Sequence, residues 1–346
     1  MSNTVNVIGT GMVTAVGLSA AATAAALRAG VDGFAETLFP GPGDDWLIGA
    51  AVPLPRAWIG AKRLAHLAAG AIVDALDDHR HRVADLQIIL CLAEETHPGT
   101  PVRDPQTFGQ MVLRYAGLAA TTKLHVVRHG RPSGIVALER VRRMFQRGEA
   151  EHALIVGVDS LLTASSIAHY QQNQRLLCKG VANGFIPGEA AAAILCEAGP
   201  PRHFALGGLG LTREQAYLYN PEDIPLRGEA MAQAYRDAMS AAGYTDFGHM
   251  DFRVTDLTGE AYFFKQSALA MQRTMRMHRE VTPIWSPTDC IGNVGAAIVP
   301  LMVGWALIAF ERGYQPGAVV LIEATGDTGA CGAAVLQSAR RERQAA

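Results

Sequence analysis

Charged residues are sparse in this chain. Only 18% of its 346 residues are charged, whereas 49% are apolar, and acids and bases nearly cancel to a formal net charge of −2. A chain of this kind lacks the surplus of basic residues that nucleic acid or an anionic membrane attracts. We therefore expect a large, tightly packed core, and neither nucleic acid nor a membrane as the main partner.

Cysteine is also scarce. The five cysteines are odd in number and scattered, and no C-x-x-C pair occurs among them. This pattern argues against a disulfide framework and against a zinc site. The N-terminus has no basic segment before its first apolar stretch, so no secretory signal is predicted. The sequence thus predicts a cytoplasmic protein without a bound metal.

The nucleotide-binding pattern is incomplete. Residues 5–17 read as a buried strand followed by a glycine-rich turn, which is where a dinucleotide site would begin. The G-x-G-x-x-G fingerprint needs a third glycine where Thr14 stands, and no acidic residue follows at the required distance. We expect no cofactor.

A single long apolar run is present. Residues 291–310 contain no charged side chain over twenty positions, which is enough to span a bilayer. Pro300, the small residues near the start and the lack of a second such run favour a helix buried within a soluble core.

Predicted strands alternate with helices of ten or more residues along most of the chain. This alternation predicts an α/β fold with parallel sheets that are covered on both faces. Residues 1–198 and 199–346 show similar orders of elements, which suggests an internal duplication into two halves. Residues 35–60 are rich in glycine and proline and are predicted to form an irregular surface connection.

The most informative segment is residues 128–138, R-H-G-R-P-S-G-I-V-A-L. A short apolar strand precedes it, and from Ile135 onward the apolar residues recur with the period of a helix. Many α/β enzymes hold a nucleophile at such a turn, because the helix start offers free N–H groups and positive potential. We call residues 128–134 the elbow. It contains Arg131 and Ser133 but no cysteine.

Four segments, taken in order, resemble the β-ketoacyl synthase branch of the thiolase superfamily. Residues 7–17 resemble its first strand and turn, and residues 153–160 the strand after its nucleophile helix. Residues 184–192, G-F-I-P-G-E-A-A-A, are similar to its G-F-x-x-G-E-G-A-A signature, and residues 290–293, C-I-G-N, to its N-I-G-H segment. The resemblance implies a thiolase-like fold: two pseudo-duplicated α/β halves in five layers, with buried central helices, and dimerisation through sheet edges near the elbow.

The same resemblance implies that the family's catalytic side chains are missing. Its chemistry uses a cysteine thiolate at the elbow and two histidines. Alignment places Arg131 at the cysteine, Leu257 and Asn293 at the two histidines, and Thr288 at a lysine that often precedes the second histidine. No catalytic residue is therefore expected at these four positions.

Two interpretations of Arg131 stay open. With the helix N–H groups it could bind an anion, or it could pair with a nearby acid such as Asp256 or face a subunit interface; buried arginines more often have a structural partner. His129, Asp256 and Cys290 are weaker alternatives for relocated catalytic groups.

The implied function is that of a catalytically degenerate ketosynthase-like scaffold, adaptor or partner subunit. Chain-length-factor subunits of polyketide synthases and thiolase-like proteins associated with type VI secretion effectors are examples. The alternative is an acyltransferase or condensing enzyme of fatty acid or polyketide type with rearranged catalytic residues. Expected partners are a second copy or a related subunit, and a protein client or acyl-carrier protein. One helix face is basic (Arg140, Arg142, Arg143 and Arg147); it is a solvated face by default and alternatively a docking patch for an acidic acyl-carrier protein.

Overall fold

The structure is a computed structural model that describes residues 4–79, 85–279 and 281–338. Its strands are β1 (Thr4–Val13), β2 (Ala35–Pro40), β3 (Trp46–Gly49), β4 (Gln87–Leu92), β5 (Lys123–Arg128), β6 (His152–Ser160), β7 (Glu189–Gly199), β8 (Ala205–Arg213), β9 (Phe252–Thr255), β10 (Ile284–Trp285), β11 (Val319–Thr325) and β12 (Ala330–Gln337). Its helices are α1 (Ala20–Ala29), α2 (Gly60–Leu76), α3 (Pro105–Tyr115), α4 (Ser133–Gln146), α5 (Ala164–Gln172), α6 (Glu229–Ala241), α7 (Ala261–Thr274), α8 (Thr288–Ile291) and α9 (Ile298–Arg312).

The main strands form two similar arrays. Their continuous order is β10-β9-β11-β12-β8-β1-β7-β6-β4-β5, and a bridge between Asn6 and Ala205 joins the arrays at β1 and β8. Read outward from that bridge, β8-β12-β11-β9-β10 repeats the pattern of β1-β7-β6-β4-β5. The division at residues 198 and 199 remains a prediction, and the repeated strand order supports it.

The expectation of parallel sheets was correct only for the outer strands. β6, β4 and β5 run parallel, as do β11, β9 and β10. β7 and β12 are antiparallel to both of their neighbours. β12 follows β11 through a tight turn, which places the two strands antiparallel, whereas α5 and a long loop lie between β6 and its antiparallel neighbour β7.

The elements stack in five layers around the three largest apolar clusters of the described residues. A central cluster includes the buried faces of α4 and α9 between the two arrays, and outer clusters lie beneath α2 and α3 on one side and α6 on the other. Gly134 allows the central helices to approach closely, because a Cβ there would lie 2.6 Å from the side chain of Val299. The start of α4 is thereby fixed in the middle of the molecule.

The long apolar run is shorter as a helix than the sequence suggested. α8 ends at Ile291, Gly292 takes a positive φ of 66°, and α9 begins only at Ile298. Asn293 bridges to Pro187, and this pairing holds the backbone next to Gly292 out of a helix, while a 3-10 turn at Gly295–Ala297 leads into α9. Residues Gly295–Arg312 would be long and apolar enough to cross a membrane, but 83% of this segment is buried within the fold, as in a core helix.

Residues 35–60 are more ordered than predicted. They contain the hairpin of β2 and β3, in which Leu47 is buried and Leu38 is exposed. Leu47 and Phe39 pack against Tyr170 and Phe185. The glycine and proline residues that suggested an irregular segment form the tip of this hairpin and the chain that follows it, while the alternation within its strands is that of a half-buried sheet.

Candidate functional site

The elbow has the predicted strand-to-helix geometry. β5 ends at Arg128, Gly130 turns the chain with φ = 59°, and α4 begins at Ser133. The hydroxyl of Ser133 accepts a hydrogen bond from the N–H of His129 at 2.9 Å and donates to the carbonyl of Leu92 at 3.3 Å. Ser133 thus serves to fix the turn.

Arg131 occupies the tip of the elbow and is buried, with only 5% of its surface exposed. Its Nη1 lies 3.3 Å from Oδ2 of Asp256 and also donates to the Asp256 carbonyl at 3.3 Å. Its Nη2 donates to Oδ1 of Asp327 at 3.2 Å, and its guanidinium lies 4.2 Å from the ring centroid of Phe263. The pairing with Asp256 that the sequence suggested is confirmed.

Arg175 provides a second buried guanidinium beside the first. Its Nε and Nη2 donate to the two carboxylate oxygens of Glu260 at 2.6 and 2.8 Å, in the bidentate geometry that makes such pairs strong. Its Nη1 donates to Oδ2 of Asp327 at 2.6 Å and to the hydroxyl of Tyr219 at 2.7 Å. One carboxylate, that of Asp327, therefore contacts both arginines.

In this network the positive charges come from the first part of the chain and the negative charges from the second part. Both arginines, Arg131 and Arg175, precede β8, whereas Asp256, Glu260 and Asp327 all follow it. Burial by itself lowers the pKa of Arg131, but the three carboxylates together raise it. Burial likewise raises the pKa of Asp327, but Arg175 and Arg131 outweigh it and hold this pKa at about 2. The arginines and Asp327 are accordingly ionised at neutral pH.

Little space remains at the elbow. The cavity there has a volume of about 20 Å³ and is lined by Glu94, His97, Arg131, Asp159 and other residues. This is room for about one water molecule, whereas pockets for small-molecule ligands enclose roughly 300–1,000 Å³. An acyl chain does not fit beside Arg131 in this structure.

The other three positions where a catalytic side chain is replaced are Leu257, Thr288 and Asn293, and all three lie around the elbow. Asn293 lines the cavity, and its Oδ1 accepts a hydrogen bond from the N–H of Gly295 at 3.1 Å. The hydroxyl of Thr288 donates to the carbonyl of Leu257, so these two replacements contact each other. Both are buried, and neither is among the residues found to line the cavity in the part of the chain that the structure describes.

The weaker catalytic candidates do not form a site. His129 is exposed, and Asp256 is held by Arg131 and by the N–H of Thr325 at 2.8 Å. Cys290 lies in the central apolar cluster, and burial raises the pKa of its thiol. A thiol in such surroundings stays protonated and is a poor nucleophile.

Sequence reasoning missed Arg175, Glu260 and Asp327. Asp327 lies in the glycine-rich segment 326–332, and Glu260 follows another glycine. The available signal was a charged residue next to a glycine in a largely apolar chain. This signal does not identify the residue with which the charge pairs. Within residues 4–79, 85–279 and 281–338, no group of three or more His, Cys, Asp or Glu side chains could hold a metal ion.

The strand order and the geometry of the elbow are those of the thiolase-like α/β fold, which ketosynthases and chain length factors share. The ishigamide ketosynthase/chain length factor matches with a TM-score of 0.77 at 18% identity, over 98% of this chain and 100% of that one. The ketosynthase ApeO in complex with its chain length factor ApeC, from Xenorhabdus doucetiae, matches with a TM-score of 0.77 at 14% identity, over 97% of this chain and 98% of that one.

A third solved structure is of the same kind. The AntDE:AntF complex, a type II polyketide synthase acyl-carrier protein with its ketosynthase bound to the hexaketide, matches with a TM-score of 0.78 at 15% identity, over 98% of this chain and 100% of that one. No protein-family model and no curated protein matches the sequence. At these identities the likeness is one of fold.

Proposed function

We propose that this chain is a catalytically inert, ketosynthase-like subunit that works as a scaffold or partner of other proteins. The observation that carries the proposal is the placement of Arg131. Its guanidinium fills the position where a nucleophile would face substrate, and Asp256 and Asp327 hold it there. A guanidinium stays protonated and cannot attack a thioester.

The remaining thiols support the same conclusion. Cys91, Cys196, Cys290 and Cys331 are buried, and burial raises the pKa of each. Cys178 is half-buried and its pKa is also raised by burial. No cysteine of this chain therefore has the lowered pKa of a catalytic thiol. All five are free, which fits our further proposal that the protein resides in the reducing cytoplasm.

The solved structures of the same fold suggest what kind of partner to expect. Two of them are described as a ketosynthase with its chain length factor, and another contains an acyl-carrier protein. By analogy, we propose that this chain acts as a chain-length-factor-like subunit beside a related, active subunit. An association with a type VI secretion effector remains the second form of the scaffold hypothesis.

Intact-mass measurement tests the loss of chemistry. The chain is incubated with an acyl-CoA and with an acyl-carrier protein that bears an acyl thioester, and an active ketosynthase serves as the positive control. We expect the control to gain the mass of the acyl group and this chain to remain unmodified.

An acyl adduct on any cysteine of the wild-type chain would refute the proposal. It would favour the alternative of an acyltransferase or condensing enzyme with rearranged residues. Peptide mapping would then identify the acylated cysteine, and an adduct on Cys290 would show that this thiol leaves the apolar cluster.

A further inference from the structure

The β2–β3 hairpin presents apolar side chains to solvent that neither the fold nor the elbow explains. Leu38 is 78% exposed, Trp46 is 50% exposed and Ile48 is 37% exposed. Single exposed apolar residues are ordinary on a protein surface, but a group of large ones on one short element marks a binding surface. We call the side chains of Leu38, Trp46 and Ile48 the hairpin face.

The pairing of the two strands brings these three side chains together. Ile48 is opposite Glu36 and Trp46 is opposite Pro40, so β2 bulges between the two pairs. Leu38 lies in the middle of this bulge. Because side chains alternate between the two faces of a strand, it shares a face with Glu36 and Pro40, and exposure along β2 alternates in the same way.

The hairpin is held so that this face stays turned outward. The hydroxyl of Thr37 donates to the carbonyl of Leu47 at 2.8 Å and accepts from the N–H of Phe39 at 3.2 Å, which fixes the bulge. Leu47 and Phe39 pack into the apolar cluster beneath the hairpin. The side-chain amide of Gln171 in α5 donates to the carbonyl of Pro40 at 2.9 Å. A surface that is already held in place costs little to order when a partner binds.

The charges around the hairpin face are all negative. Glu36, Asp44 and Asp45 are exposed, and residues 29–55 contain no lysine, arginine or histidine. Within the part of the chain that the structure describes, none of these three carboxylates forms a salt bridge. An apolar centre with charges at its rim is the usual arrangement of a protein–protein interface.

The sign of this charge selects among the possible occupants. A second copy of the chain would place the same acids opposite each other, and an acidic acyl-carrier protein would also meet like charge. An anionic membrane surface would repel the carboxylates in the same way. A basic protein surface is the occupant whose charge complements the rim.

We propose that the hairpin face docks a partner protein that offers an apolar cleft bordered by lysine and arginine side chains. This inference rests on the proposed role as a scaffold or partner of other proteins, and it names a surface for that role. Trp46 supplies the anchor, because tryptophan is among the side chains that contribute most to binding when they fill a pocket. The three carboxylates steer the basic partner towards it.

Photo-crosslinking in the native host cells tests the proposal. The photoreactive residue p-benzoylphenylalanine replaces Leu38 in the full chain, and the products of irradiation are identified by mass spectrometry. We expect one main product with a different protein, in which lysine or arginine side chains surround the crosslinked site. The same probe in place of Phe264 is the control, because that side chain is 50% exposed but belongs to α7. Charge changes on the hairpin should leave the products of this control unaltered.

Removal of the charges should weaken the contact while the chain stays folded. In Glu36→Gln/Asp44→Asn/Asp45→Asn the crosslinked product at position 38 should decrease about tenfold, as expected for the loss of three exposed ion pairs. The captured partner is then purified and titrated by calorimetry. Its affinity should fall about tenfold for this variant and about thirtyfold or more for Trp46→Ser.

A matched variant controls for the change in net charge. Glu222→Gln/Asp223→Asn/Asp237→Asn alters three exposed acids outside the hairpin and should bind the partner as wild type does. Thermal unfolding of each variant verifies that it is folded, so a loss of binding is assigned to the surface and not to the fold.

Several results would overturn the inference. Crosslinking at position 38 to a second copy, to an acidic protein or to lipid would identify a different occupant, and the lack of any product there would show that the hairpin face binds nothing. A partner that tolerates both hairpin variants would show that the contact does not use this chemistry. None of these results alters the acylation assay, and acylation of a cysteine would leave the crosslinking result unchanged, so the two proposals can fail separately.

Discussion

Arg131 and Asp327 form an ion pair at 3.2 Å although 196 positions separate them in the chain. The same carboxylate reaches Arg175 at 2.6 Å, so it neutralises two guanidiniums at once. Burial of a charge is costly unless the charge is paired with an opposite one. Removal of the shared carboxylate would therefore leave both arginines with too little negative charge around them. Asp327 is therefore the residue on which the closed elbow depends most.

Replacement of this carboxylate should destabilise the whole chain. We expect Asp327→Asn to lower the free energy of unfolding by about 2–4 kcal/mol, somewhat less than the cost of breaking a fully buried pair because 22% of the Asp327 side chain is exposed. Urea denaturation followed by circular dichroism measures the change. Glu149→Gln is the control, since its surface pair with Arg147 should contribute at most about 1 kcal/mol. Equal losses in the two variants would contradict the role of Asp327.

The stability contributed by Asp327 should depend on pH in a defined window. Its pKa is about 2 in the fold and 3.8 ordinarily, so the folded state binds the proton less readily than the unfolded state. The contribution is complete above pH 4 and is lost as the pH falls from about 4 towards 2. We expect the gap in unfolding free energy between wild type and Asp327→Asn to be constant from pH 7 to 5 and to narrow below 4. If this difference in unfolding free energy instead widened on acidification, the pKa of Asp327 would be higher in the folded state than in the unfolded state, which would contradict the prediction.

Gly157 should tolerate no side chain. A Cβ on this β6 residue would lie 2.3 Å from the carbonyl oxygen of Ala296, and backbone cannot yield as a flexible side chain can. We expect Gly157→Ala to cost about 1–3 kcal/mol by overpacking. Gly199→Ala, at the end of β7, is the control because its Cβ would meet only Asn6 at 3.8 Å. Thermal unfolding of both variants measures the difference, and a Gly157→Ala variant as stable as this control would contradict the close approach.

Thiol accessibility should be limited to a single cysteine. Cys178 is half-buried and the other four are buried, so we expect one equivalent of iodoacetamide to be incorporated slowly in the native state and five after denaturation. Mass spectrometry of tryptic peptides identifies the modified residue. Rapid native labelling of Cys290 would instead indicate an accessible and reactive thiol beside the elbow.

Local patterns predicted local structure well. Ser19 caps α1 by accepting from the N–H of Ala22, and Gly30 ends the helix with φ = 66°; serine and glycine are residue types that favour these two positions. The strand-to-helix turn at the elbow also lies where the sequence predicted it, with α4 beginning at Ser133. In each case the determining interactions lie within a few residues, so the pattern is visible in the chain itself.

The closed site could be predicted only in part. The absence of cysteine at the elbow was evident, and the pairing of Arg131 with Asp256 was one of two interpretations that the sequence left open, because Asp256 precedes Leu257, which the resemblance aligns with a catalytic histidine. The contribution of Arg175, Glu260 and Asp327 was not predictable, because it depends on how the two arrays meet. Gly292 likewise interrupts a helix that composition favoured, because the backbone around Asn293 pairs with a segment about a hundred residues earlier.

The division of charge in the buried network also bears on how the chain can be expressed. If it were severed in the turn between β7 and β8, the leading fragment would retain both guanidiniums and the trailing fragment all three carboxylates. Each fragment would then carry unpaired charges on the surface that is buried in the intact fold. Because unpaired buried charge is costly, neither fragment should be well folded when it is produced alone. Co-produced fragments should complement each other, since every ion pair in the network is also a contact between them.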